Sequence, residues 1–171
     1  MKEQELKKEI ENTEEIKNSE EVENDKFMRL ALEEARKAEN MDEVPIGAVI
    51  VKNGEVIGSG YNRRETDKNP LAHAEIMAIS EAAKTLGGWR LLGCTLYVTL
   101  EPCPMCTGAI IQSRIERLVY GAKDSKGGAC DSKVKLISDF SWNHKVEVTS
   151  GVLENECSCI LKEYFRGKRS S

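Results

Sequence analysis

Two short segments, His73-Ala74-Glu75 and Pro102-Cys103-Pro104-Met105-Cys106, constrain this chain more than any other feature. Together they offer an imidazole, two thiols and a spare carboxylate. Three such ligands, with a fourth position left to water, form the donor set of a catalytic zinc site. Cys103 and Cys106 are three apart, so in the first turn of a helix their sulfurs point the same way. Unpaired N–H groups and the positive end of the dipole favour thiolates there. His73 opens an earlier helix. For these groups to meet, two helix N-termini must lie side by side. An open α/β sheet does this, because the strand C-termini and the helices that follow them converge on one edge.

The rest of the pattern supplies such a frame. Phe27, Leu30, Ala31, Ala35 and Ala38 share one helical face, and Asn24 or Asp25 is expected to cap that helix. Residues 44–51 are almost continuously apolar and β-branched, which predicts a strand covered on both faces. Asn53-Gly54 is a strong hairpin signal, with residues 55–61 returning antiparallel. The order then becomes helix (72–86, stopped by Gly87-Gly88), strand (94–100), helix (103–113) and strand (117–122). Short connections between them argue for parallel pairing with right-handed crossovers. A long loop through Gly127-Gly128 precedes a short strand at 145–149. An amphipathic helix at 153–166 closes the chain, with Ile160, Leu161, Tyr164 and Phe165 as packing candidates. The expected fold is a three-layer α/β/α domain around a mixed, mostly parallel five-stranded sheet.

Charge divides the chain unevenly. Residues 1–25 hold 4 Lys against 10 Asp or Glu, whereas the remainder holds 21 Lys or Arg against 19 Asp or Glu. The acidic head has only Leu6, Ile10, Ile16 and Val22 as sizeable apolar residues, too few to offset the entropy of ordering. It is expected to be a solvated, disordered extension, with residues 26–171 forming the folded domain. The apolar runs are too short to span a bilayer, and the N-terminus lacks an apolar signal segment. The expected location is the cytoplasm. The six cysteines, at 94, 103, 106, 130, 157 and 159, then read as ligands or buried thiols rather than disulfides.

Each motif alone has a plainer reading. Cys-x-x-Cys also builds structural zinc sites and redox pairs. A structural site needs a fourth ligand, for which Cys94, Cys130, Cys157, Cys159 and His144 are available. A redox pair needs neither His73 nor Glu75. The conjunction, in this chain order and within an α/β alternation, favours catalytic zinc. Glu75 is then the proton carrier beside a water whose pKa the metal lowers to roughly 7.

The pattern H-x-E…P-C-x-x-C is the signature of the zinc-dependent nucleobase deaminases. More finely, residues 27–169 resemble the bacterial tRNA-specific adenosine deaminases of the cytidine deaminase superfamily. The resemblance rests on Glu43-Val44-Pro45-Ile46-Gly47-Ala48, Gly60-Tyr61-Asn62-Arg63 and Leu71-Ala72-His73-Ala74-Glu75 upstream. Downstream it rests on Tyr120-Gly121-Ala122-Lys123-Asp124-Ser125-Lys126-Gly127-Gly128, Asn143-His144-Lys145 and Tyr164-Phe165-Arg166.

It implies a cytidine-deaminase-like fold, one Zn2+ per subunit on His73, Cys103 and Cys106, Glu75 as catalytic residue, and a homodimer. The implied reaction converts the wobble adenosine of a tRNA anticodon stem-loop to inosine. By the same resemblance Asn62 binds the target nucleoside, and Val44, Ala74, Leu100 and Pro102 surround the base. Asp124, Lys126, Asn143, Phe165 and Arg166 are implied to contact the RNA. Guanine deaminase, which acts on a free base, is the alternative, and a zinc-stabilised binding module without catalysis is a third reading. Cys130-Asp131 departs from the Gly-Ser usual in the family.

Overall fold

The computed structural model describes residues 1–139 and 141–171. Among these residues four helices, α1 (Lys2–Asn40), α2 (Ala74–Leu86), α3 (Pro104–Gln112) and α4 (Glu154–Ser170), surround five strands. The strands are β1 (Gly47–Lys52), β2 (Glu55–Tyr61), β3 (Cys94–Leu100), β4 (Arg117–Ala122) and β5 (Glu147–Ser150), in the spatial order β2-β1-β3-β4-β5. β1 pairs antiparallel with both β2 and β3, whereas β3–β4 and β4–β5 are parallel. The sheet is mixed as expected, with parallel and antiparallel pairing in equal share. The balance follows from β1, which meets two antiparallel neighbours.

Alternation along the strands sorts the core into two layers. Ala48, Ile50, Leu96, Val98, Leu118 and Tyr120 face α2, α3 and the loop residues Cys130 and Ile137. Val49, Val51, Tyr97 and Val119 face Phe27, Met28 and Ala31 of α1 and Cys157 and Ile160 of α4. Both faces of β1 are covered, which explains its unbroken apolar run.

Register places the functional edge. Leu100 pairs with Ala122, so β3 and β4 end together. β1 runs the other way, and its first residue, Gly47, pairs with Tyr61 at the end of β2. Residues 44–46, 62–75, 100–106 and 122–132 therefore leave from one edge of the sheet.

Residues 2–23 correct the expectation of a disordered head. They continue α1 as helix, yet every side chain from Met1 to Glu23 is exposed. Glu- and Lys-rich sequence has good helix propensity, Glu3–Lys7 is spaced as a favourable pair, and growth from an already docked helix needs no new nucleus. Asn24 does not cap the helix. It is buried inside it, and its Oδ1 accepts the Tyr97 hydroxyl at 3.3 Å. One turn earlier, Glu20 meets the Arg117 guanidinium at 2.6 Å. Packing therefore begins at residues 20–24, close to the expected boundary.

Candidate active site

His73 and Cys103 stand at the N-caps of α2 and α3, one position before the helices proper. Both have extended backbones, and neither side chain caps its own helix. The side chains are thus free to point across the edge. Pro104 at the first helical position has no N–H to leave unpaired. Close packing of α2 on β2 fixes the height of His73. A Cβ on Gly60 would collide with the carbonyl of Ala74, so only glycine allows this approach.

The donors converge. His73 Nδ1 lies 3.7 Å from Cys103 Sγ and 3.6 Å from Cys106 Sγ, and the three donor atoms all lie within 4.8 Å of one another. Ligand bonds of about 2.3 Å to sulfur and about 2.05 Å to nitrogen in a tetrahedron would hold N and S about 3.5 Å apart. The donor set and its spacing therefore fit zinc. Among the described residues, Cys94, Cys130, Cys157, Cys159 and His144 are not in this cluster, which leaves the three ligands of an open site.

Electrostatics separates the groups. The Cys103 thiol falls to about 4, first because the Cys106 thiol donates to it, with His73 and the Cys106 N–H adding to the effect against burial. The Cys106 thiol is pushed up by the same bond, then by burial and the Glu75 charge. His73 is raised, chiefly by its hydrogen bond with Cys103. Glu75 is 4% exposed, and burial lifts it above the usual carboxylate range.

Beside this cluster is a cavity of about 140 Å³. That is below the roughly 300–1,000 Å³ typical of drug-sized ligands, so it suits one flat ring. Val44, Asn62, Ala74, Glu75, Leu100 and Asp124 line it, as do His73 and Cys103. Pro102 and Cys106 are buried and are not among the lining residues, so the expectation that Pro102 walls the base is not met by this cavity. Asn62 is held from both ends: its amide donates to the Val44 carbonyl at 3.2 Å, and its oxygen accepts the Arg64 N–H at 3.2 Å.

The expected RNA contacts divide. Lys126 and Phe165 line a second groove with Lys123, Lys162, Lys168 and Arg169, and Arg166 is exposed on the same helix. Asn143 is elsewhere. Its neighbour His144 donates to the Ile115 carbonyl at 2.7 Å, ahead of β4, so within one subunit Asn143 stands at the opposite edge of the sheet. Ile46 and Glu101 also line the cavity without having been assigned a role from sequence, as does Arg64, a cation expected near the site. A charged residue between an apolar strand and Pro102 was the signal for Glu101.

A family model described as MafB19-like deaminase matches residues 22–169. The tRNA-specific adenosine deaminase of Bacillus subtilis (strain 168) is 54% identical over 143 residues, 84% of this chain and 89% of that one. A solved structure from work on A-to-I editing by tRNA:A34 deaminases at the wobble position of transfer RNA is 52% identical. It superposes with a TM-score of 0.76, covering 79% of this chain and 98% of that one. The guanine deaminase of Bacillus subtilis is 43% identical with a TM-score of 0.55, over 57% of this chain and 63% of that one. Signature residues, sheet order and identity along most of both chains agree, and the chain belongs to the tRNA-specific adenosine deaminases, a family of hydrolytic deaminases.

Proposed function

We propose that this protein converts adenosine to inosine at the wobble position of a tRNA anticodon, with one zinc per subunit held by His73, Cys103 and Cys106. The observation that carries the reading is the buried Glu75 in a ring-sized cavity beside that donor triad. Zinc, when bound, makes water a usable nucleophile near neutral pH.

The reaction exchanges the exocyclic amine for a carbonyl oxygen: adenosine and water give inosine and ammonia. Glu75 accepts a proton from the attacking water and delivers protons to the ring nitrogen and to the departing amine. Burial raises its pKa above that of an ordinary carboxylate, which makes it a stronger proton acceptor. Val44 and Leu100 wall the base, while the tethered Asn62 presents its remaining N–H and lone pair to the nucleoside. An anticodon loop offers unstacked bases that can enter such a cavity without unpairing a duplex. The groove bearing Lys123, Lys126, Lys168 and Arg169 would take phosphates. A homodimer and a cytoplasmic location belong to the same reading.

Ammonia release from an anticodon stem-loop, free guanine and free cytidine tests it directly. Inosine should form in the stem-loop, with little turnover of either small substrate. The similarity to guanine deaminase supplies the competing outcome: turnover of guanine with an inert stem-loop would replace the RNA reading.

A further inference from the structure

Glu101 is 2% exposed, one residue beyond the end of β3 and two before Cys103. A buried carboxylate is costly unless it is fully hydrogen-bonded, and this one is. Its Oε2 accepts the N–H groups of Cys130, Asp131 and Ser132 at 3.2, 3.1 and 3.1 Å. Its Oε1 accepts the Ser132 hydroxyl at 2.5 Å and the Asp124 N–H at 3.3 Å. Those donors occupy the carboxylate's lone pairs, so Glu101 lines the cavity without being free to exchange protons there.

The donors belong to the two ends of one loop. Its middle is held against the same carboxylate by Gly128, where a Cβ would collide with the Glu101 carboxylate. A second tie runs from the Ala129 N–H to the Pro102 carbonyl at 2.8 Å. Asp124, at the start of the loop, lines the cavity, and its Oδ1 accepts the N–H groups of Lys126 and Gly127 at 3.0 and 3.1 Å. Glu101 thus reaches the cavity mouth through Asp124, and the basic groove through Lys126.

We propose that Glu101 is a positioning residue for substrate: it anchors Asp124 and the 124–127 turn at the cavity mouth, and so sets how RNA beside the reacting base is held. The proposal rests on the reading of this cavity as the site of RNA deamination. It distinguishes two neighbouring buried carboxylates, Glu75 for proton transfer and Glu101 for substrate placement.

Glutamine discriminates, because one amide oxygen can still serve the three N–H groups of residues 130–132. Its NH2 then meets the Asp124 N–H, donor against donor. Glu101→Gln should therefore keep about one zinc per chain and a kcat within about threefold of wild type. KM for the stem-loop should rise about ten- to a hundredfold, the range for one hydrogen bond to a charged group. In an Asp124→Ala background the same change should add little, since coupled residues are not additive. Gly128→Ala, which pushes on both the Glu101 carboxylate and the carbonyl of Asp124, the residue it anchors, should also raise KM. It decides the matter if Glu101→Gln does not fold. Unchanged KM, additive effects with Asp124→Ala, or loss of zinc as the primary defect would each overturn the proposal. A wild-type enzyme inert on the stem-loop would instead overturn the functional reading beneath it.

Discussion

Acidic side chains meet opposite fates in two regions of this molecule. In the outer part of α1, residues 2–23, all the carboxylates are exposed. At the cavity edge Glu43, Glu75 and Glu101 are 1%, 4% and 2% exposed. Glu43 accepts the Thr66 N–H at 2.6 Å, tying down the loop that carries Asn62 and Arg64, as Glu101 ties down the loop on the other side. Glu75 is different again, since its environment disfavours the charge instead of fixing it. A solvated carboxylate in a helix adds solubility and a few tenths of a kcal/mol in pairs. A buried one must be organised by the fold or organise it. Identical side chains thus stay in solvent in the first region, apart from Glu20 on Arg117, and are drawn into the fold in the second.

The largest expected effect tests that contrast at Glu75. Glu75→Gln keeps the shape and removes the proposed proton carrier. Turnover should fall by at least about 10²–10⁴-fold, the usual worth of general acid–base catalysis, while zinc stays near one per chain. Cys103→Ser should instead lose the metal. If Glu75→Gln also released zinc, Glu75 would be a ligand and its burial would have a different cause.

These carboxylates differ in how far sequence reveals them. That the triad and Glu75 lie together was legible because the motif is carried by their own side chains and by a spacing that helices enforce. The strands were legible from β-branched runs, and the two-layer core from alternation. Glu101 was not, because its partners are mainly backbone N–H groups of residues 124 and 130–132, which any sequence possesses. The position of Asn143 was hidden for a related reason: a long irregular loop has no period from which to read its path. The head misled in the other direction. Its composition argued rightly that nothing there is buried, but helix formation needs only propensity and an anchored end, and Asn24 supplied the anchor from inside the helix rather than as its cap.

A smaller effect is expected where the two regions touch. Burial raises Tyr97 to about 12, with the nearby Glu23 and Glu20 adding to it against Arg117, and its hydroxyl is bonded to Asn24. The folded protein therefore holds this proton more tightly than the unfolded chain, whose tyrosines titrate near 10. The stabilisation is fully present below about pH 10 and is lost as pH rises through about 12. Burial also pushes Tyr120, Cys130 and Cys157 up to about 12, so wild type should soften across this window for several reasons. Tyr97→Phe should cost about 1 kcal/mol at neutral pH and flatten the decline between about pH 8 and about pH 11 by about 1.4 kcal/mol, half of the full shift. Urea unfolding at about pH 8 and about pH 11 reads both quantities. An unchanged alkaline slope would mean that Tyr97 is accessible to solvent.

The smallest effect concerns the outer helix itself. Deleting residues 1–19 leaves Glu20 on Arg117 and Asn24 on Tyr97. No buried side chain goes with the deleted segment, so unfolding free energy should change by no more than about 0.5 kcal/mol. Far-UV helicity should fall, and kcat on the stem-loop should not change. Only charge is left to act: the deleted segment carries six Glu against four Lys, so RNA binding should tighten modestly at low salt and not at about 1 M salt, where the Debye length is about 3 Å. A stability loss above about 1 kcal/mol would show that the outer helix packs on something. Concentration dependence of that loss would make the partner a second copy of the chain, and the contrast between free and committed carboxylates would then hold for the isolated subunit alone.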